Sequence, residues 1–322
     1  MLFDPETKNF HENTMSWNNT SVCTISWNGV PGGTDWKQHV PDYNAHAELT
    51  NVQTRMAFIL QMIAEYNATY DERYMRGVFG LLTDFGADWN GPGYMRPFEA
   101  AERCNVYTVS YPYLLESSYM TPDFNIMLLK LMWLDADYLS DDQNFWSFNN
   151  HGVVQTKGFM KTAVRMPEFK DVSEKWLPLI EERIDVLTDL VLEDGYYIES
   201  DTGYASTVMT QFQEFGELSD QIGMALGDRF YDQLGLLALS LLDSCWPNGI
   251  LQSFGDGGTG DMRGAFLTLG EMYTNLDNEK YQNWGNQFLY FATGGTVGTP
   301  VEHQSYYYDK GRIAIMRRGW NE

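Results

Sequence analysis

From Ala45 to Phe291 apolar residues return at spacings of three and four, segment after segment, a period that belongs to helices packed on one face. Leu49, Val52, Met56, Ile59, Leu60 and Ile63 share one face of the first segment. Similar stretches follow near residues 71–87, 97–118, 122–139, 150–165, 171–193, 204–225, 229–244, 263–274 and 279–291. The pattern predicts roughly ten helices and almost no strands between them. Several starts carry a capping residue: Asp71 before ERYMRGVFGLL, Thr121 before Pro122, and Asp171 before Val172. In the 171–193 segment Val172, Trp176, Leu179, Ile180, Ile184, Leu187 and Val191 form a stripe, while Glu174, Lys175, Glu181, Glu182 and Asp185 mostly face away. Ten helices with short connections predict stacked antiparallel hairpins, either a closed toroid of helix pairs or an open array. No fixed sequence period points to a named repeat family.

The helical pattern occupies residues 45–300 and fails at both ends. Residues 1–44 are rich in Asn, Thr, Trp, Gly and Pro and read as an irregular N-terminal arm. Residues 301–322 contain Tyr306-Tyr-Tyr-Asp-Lys-Gly-Arg-Ile-Ala-Ile-Met, which reads as two short strands around an Asp-Lys-Gly turn. Two strands alone are not a stable sheet, so this segment is expected to open a β domain that continues past Glu322.

With 322 residues, 43% of them hydrophobic and 15% aromatic, the chain can bury one large core or two ordinary ones. Its 44 acidic against 21 basic residues leave a formal charge of -23, which repels phosphate backbones and anionic membrane surfaces. Nucleic acid is thereby a poor candidate partner. No apolar run approaches the ~20 residues of a membrane helix, and MLFDPETKNF has neither the basic nor the apolar region of a signal peptide. Cys23, Cys104 and Cys245 are scattered and odd in number, so no disulfide framework is expected. The five histidines lack the close pairing of a helical zinc site, and no metal held wholly by this chain is expected.

Candidate chemistry gathers at two places. Asn149-Asn150-His151-Gly152 follows an aromatic loop containing Asn144, Phe145, Trp146 and Phe148 and opens a helix. Its structural reading is that one Asn caps the helix while His151 packs beside it. Tyr204 lies in the loop from Asp194 through Glu199 and Ser200 into the next helix, although any one of 20 tyrosines more often packs its ring than does chemistry. Glu99 and Arg103, four apart, suit a pair across one helical turn; Arg103 alternatively suits a bidentate grip on a substrate carboxylate. No G-x-S-x-G elbow occurs, and Gly255-Asp-Gly-Gly-Thr-Gly260 lacks the lysine of a phosphate loop and reads as an ordinary loop. Glu199 and Asp256 are one of many carboxylate pairs open to a glycosidase reading.

The order of these pieces resembles the heparinase II/III-like polysaccharide lyases. The likeness rests on Arg96-Pro-Phe-Glu-Ala-Ala-Glu-Arg103, Asn149-Asn-His-Gly152, Met166-Pro-Glu-Phe169 with Trp176, Asp194-Gly195 through Glu199-Ser200 to Tyr204, and Tyr308 to Trp320. It implies a mostly α chain, an incomplete α/α toroid followed by the first strands of an antiparallel β-sandwich, with the active cleft between them. It further implies β-elimination at a uronic acid, leaving an unsaturated sugar. On this resemblance Asn150 and His151 neutralise the substrate carboxylate, and Tyr204 protonates the leaving oxygen and also serves as base. Arg103, Asn149, Trp146 and Glu199 are the accompanying substrate-binding candidates. The implied partner is an acidic polysaccharide, a glycosaminoglycan or alginate, and the implied location is secreted or periplasmic.

Two positions depart from the family pattern. Ala205 follows Tyr204 where many relatives have His, and the family's β-sandwich histidine and structural zinc have no counterpart here, since His303 does not match. No cofactor is expected within the chain, and the resemblance assigns any structural metal to a downstream domain. Two other functions stay open: a toroid glycoside hydrolase with paired carboxylates, and a carbohydrate-binding relative without chemistry.

Overall fold

The computed structural model describes residues 3–4, 9–12, 23–26, 54–88, 96–255, 257–302 and 305–317. Among them are ten α-helices, each built on one of the periodic stretches above: α1 (Ala57–Thr69), α2 (Glu72–Asp88), α3 (Pro97–Leu115), α4 (Pro122–Leu139), α5 (Asn150–Arg165), α6 (Leu177–Thr188), α7 (Thr202–Ile222), α8 (Asp228–Ser244), α9 (Arg263–Thr274) and α10 (Glu279–Ala292). The chain is mostly α, as the periodicity predicts. Leu49 and Val52 of the first predicted segment lie outside the described residues. At the N-terminus the expectation of an irregular arm is corrected over three short stretches, because β1 (Phe3–Asp4), β2 (Asn9–Glu12) and β3 (Cys23–Ser26) pair antiparallel in that order. Strands of two to four residues are too short for alternation to emerge from sequence.

The chain forms two compact units, Met1–Phe145 with Val154–Leu177, and Trp146–Val153 with Pro178–Glu322.

In the first unit α1 packs on α2 and α3, and α4 on α2 and α3. Their apolar stripes meet in one core, with Ile59 and Met62 from α1, Val78 and Leu82 from α2, Tyr107 from α3 and Leu128 from α4. Thr121 caps α4 as predicted, its hydroxyl accepting the Phe124 N–H at 3.2 Å. Asp171 does not cap a helix; its carboxylate takes the Trp133 indole N–H at 2.9 Å, and a π turn over Val172–Trp176 precedes α6. That turn rotates Trp176 into full burial against Phe159 and Phe169. The predicted pair of Glu99 with Arg103 does not form. Glu99 instead receives Arg55 at 3.1 Å and Arg96 at 2.8 Å. Arg103, 1% exposed, grips Asp135 with two hydrogen bonds of 2.8 and 2.7 Å. Burial works against the charged guanidinium, but the Asp135 carboxylate beside it holds Arg103 above its ordinary value.

In the second unit α7 pairs with α8, and α9 with α10, which also touches α8. Phe212, Phe230, Phe266, Tyr273, Tyr281 and Phe288 fill the space between them edge to face or tilted. Helices α9 and α10 approach closely at Gly285, where a Cβ would lie 2.8 Å from the Thr274 nitrogen. The predicted hairpin is present as β4 (Tyr306–Tyr308) and β5 (Ile313–Ile315), with Tyr308 opposite Ile313. Three contacts fasten it to the helices. The Tyr308 hydroxyl donates to the Asp243 carboxylate at 2.7 Å, Asp194 accepts the Lys310 and Gly311 N–H groups at 2.7 and 3.2 Å, and Arg317 donates to the carbonyls of Asp243 and Cys245. A two-stranded ribbon, marginal alone, is stable here because the helical unit satisfies its turn and buries Tyr308.

Candidate functional site

The segment that opens α5 and the loop that enters α7 both belong to the second unit. Asn149 is the cap of α5: its side-chain oxygen accepts the His151 N–H at 3.0 Å. That use commits the Asn149 side-chain oxygen to the helix start and leaves Asn150 as the amide of the pair not committed to the cap. The His151 imidazole lies flat on the Trp146 indole, ring centroids 5.1 Å apart and planes within 8°, and Phe148 stacks on the other partner at 6.4 Å. Trp146 therefore shelves the imidazole. Gly152 makes this possible, because a Cβ there would lie 2.1 Å from the Trp146 carbonyl oxygen. Gly152→Ala is expected to push the Trp146 loop off the helix at a cost of about 1–3 kcal/mol. Urea unfolding would show the loss, and a shift of the His151 ring proton resonances would show the altered stacking; an unchanged midpoint would refute the close approach.

Glu199 joins this segment to the second one. Its carboxylate accepts the Asn150 N–H at 3.1 Å and the hydroxyl of Tyr197, so both donors meet one oxygen. Burial, reinforced by Glu199, pushes the Tyr197 hydroxyl well above its ordinary value and keeps it a donor. The Glu199 carboxylate thus ties the start of α5 to Tyr197. Ser200 then turns the chain through a left-handed conformation at φ 54°. Asp201 caps α7, accepting the Tyr204 N–H at 2.9 Å with one oxygen and the Gly257 N–H at 2.8 Å with the other. Thr202 is stitched to the same neighbouring loop through Gln252 at 2.8 Å and Phe254 at 3.1 Å. The glycine-rich loop is therefore a buttress for the first turn of α7, where Tyr204 stands, and Gly203 lies so close to Gly257 that a Cβ would be 2.7 Å from its Cα.

Next to this turn is a cavity of about 480 Å³, lined among others by Tyr196, Thr202, Trp246, Phe254, Ala314 and Arg317. Trp246 and Phe254 expose 56% and 50% of their surfaces. Burial lowers the pKa of Arg317 against the pull of Asp243, and Arg312 and Arg317 are the two cations of this wall.

Five of the seven predicted site residues, Trp146, Asn149, Asn150, His151 and Glu199, are linked by hydrogen bonds or ring stacking, and Tyr204 stands five residues beyond Glu199. Arg103 is otherwise engaged: its bidentate pair with Asp135 takes the fork assigned to a substrate carboxylate. Asp256 and His303 lie outside the described residues. Among the described residues no group of three or more His, Cys, Asp or Glu is placed to hold a metal ion, and no helix is long and apolar enough to cross a membrane. Sequence reading missed Asp201 and Tyr197. Asp201, three residues before Tyr204 at the head of an apolar run, carries a cap signature that reveals it in retrospect. Tyr197 has no such signal among so many tyrosines.

Comparison with known proteins adds the family. A heparin-sulfate lyase of Pedobacter heparinus is 22% identical over 280 residues, 81% of this chain and 40% of that protein. The crystal structure of a heparan sulfate lyase mutant from the same organism is similar with a TM-score of 0.73 at 19% identity, over 98% of this chain and 48% of the other. The crystal structure of a heparinase III is similar with a TM-score of 0.77, again at 19% identity, over 92% and 47%. The chain spans less than half the length of these relatives, and the structural likeness shows a shared fold. Residues 9–284 match the family described as Heparinase II/III N-terminus, to which this chain therefore belongs.

Proposed function

We propose that the chain is the helical part of a polysaccharide lyase that cleaves a uronate-containing glycosaminoglycan by β-elimination. The proton on C5 of a uronate is weakly acidic because its removal moves charge onto a carboxylate that is already anionic. Donors aimed at that carboxylate lower the barrier. Asn150 and His151 supply an amide and an imidazole for this purpose. Tyr204, entering as the phenolate, takes the C5 proton, the C5–H electron pair becomes the C4–C5 double bond, the C4–O bond breaks with its pair on oxygen, and the phenol so formed protonates the leaving oxygen and returns to phenolate. Atoms and charge balance without an external reagent.

The observation that carries this reading is the bond from the Asn150 N–H to Glu199, which ties the segment bearing Asn150 and His151 to the loop that leads to Tyr204. The names of the relatives favour heparan sulfate or heparin as the substrate over alginate. A net charge of -23 requires the acidic chain to be met by a local cationic wall, a part suited to Arg317. On this reading the protein works outside the cytoplasm, secreted or periplasmic, and any structural metal belongs to a β-sandwich downstream.

The test is ultraviolet absorbance of the unsaturated uronate when the full-length protein meets heparan sulfate, heparin, chondroitin sulfate, hyaluronan and alginate. A rise with heparan sulfate or heparin is expected. New reducing ends without absorbance would replace elimination by hydrolysis, and binding without either would leave a carbohydrate-binding protein.

A further inference from the structure

We propose that Glu199 is a positioning residue: its carboxylate, fixed by Tyr197, holds the first turn of α5, and with it Asn150 and His151, in register with the loop that delivers Tyr204. The kinetic part of this proposal rests on the lyase reading above; the structural part does not. A helix leaves its first backbone N–H groups without partners inside the helix. At α5 the Asn149 cap accepts the His151 N–H, while the Asn150 N–H finds its acceptor 49 residues away on Glu199. A carboxylate suits that end of a helix, where the aligned peptide dipoles are positive.

Glu199 is exposed and would ordinarily swing freely, but its anchor is not exposed. Tyr197 is 1% exposed and sits in a tight turn, with Ile198 N–H on the Leu190 carbonyl at 3.0 Å and Leu192 N–H on the Tyr196 carbonyl at 2.9 Å. Its hydroxyl donates to the very oxygen that accepts from Asn150. Downstream only Ser200 separates Glu199 from Asp201, the cap of the helix whose first turn carries Tyr204. One side chain therefore sets the separation between two groups that must act on one sugar. A displacement of about 1 Å between reacting groups is worth up to a hundredfold in rate.

In the full-length protein, Glu199→Ala is expected to lower kcat about ten- to hundredfold with KM changed less than about threefold. Glu199→Gln, whose amide oxygen accepts the same N–H, is expected to restore most of the rate, and Tyr197→Phe to cause a smaller loss of the same kind. Amide proton exchange at Asn150, followed by NMR, is expected to quicken in Glu199→Ala and to stay near wild type in Glu199→Gln. Unchanged exchange in Glu199→Ala would overturn the proposal, as would equal rate losses in the Ala and Gln variants, which would make the charge and not the contact the cause. Absence of lyase turnover in the wild type would remove the lyase reading alone, and the exchange measurement would then decide whether Glu199 holds α5.

Discussion

Tyr204→Phe in the full-length protein is expected to reduce formation of the unsaturated product by about 10²–10⁴-fold, the usual worth of a proton-transferring side chain. The substitution removes one oxygen and keeps the ring. The backbone of Tyr204 is held independently of its side chain, since its N–H is bonded to Asp201 at 2.9 Å and Asp201 also grips Gly257. Circular dichroism and the melting temperature should therefore match the parent. Binding of the polysaccharide should persist too, because Asn150, His151 and the cavity wall are untouched. Full turnover in this variant would take Tyr204 out of the chemistry and leave the proton transfers to another group.

Arg103→Ala is expected to destabilise the first unit by about 3–5 kcal/mol, because it strands Asp135 as an uncompensated buried carboxylate. Asp135 is wholly buried, and burial already raises its pKa above the ordinary carboxylate range against the pull of Arg103. The double substitution Arg103→Met with Asp135→Leu removes both charges and is expected to recover most of the loss, since apolar replacement of a buried pair is often neutral or better. Urea unfolding midpoints of the two variants and the parent would decide. A stable Arg103→Ala protein whose KM rises tenfold would instead return Arg103 to the substrate carboxylate.

The two expectations differ in how visible their residues are in sequence. Helix boundaries such as Pro122–Leu139 and Arg263–Thr274 coincide with the periodic stretches because stripe and cap are local features, carried by residues three or four apart. The same holds for the β4–β5 hairpin, signalled by its Asp-Lys-Gly turn. What was not legible depends on partners far along the chain. Asp171 looks like a cap until Trp133, 38 residues earlier, takes its carboxylate. Arg103 looks like a partner for Glu99 until Asp135 arrives from the next helix. In the candidate site, the pair Asn149-Asn150 was readable as one cap and one other amide, but which was which depended on the helix start, and the task of Glu199 depended on an amide 49 residues away.

Ser200 carries a consequence of its own. A serine at φ 54° holds its backbone in a conformation that glycine adopts freely and other residues adopt at an energetic penalty of order 1 kcal/mol. It sits between Glu199 and Asp201, where the two helix starts are fastened. Glycine in its place would relieve that strain but loosen the segment between the two anchors, so the serine trades local strain for a stiffer link between the helix starts.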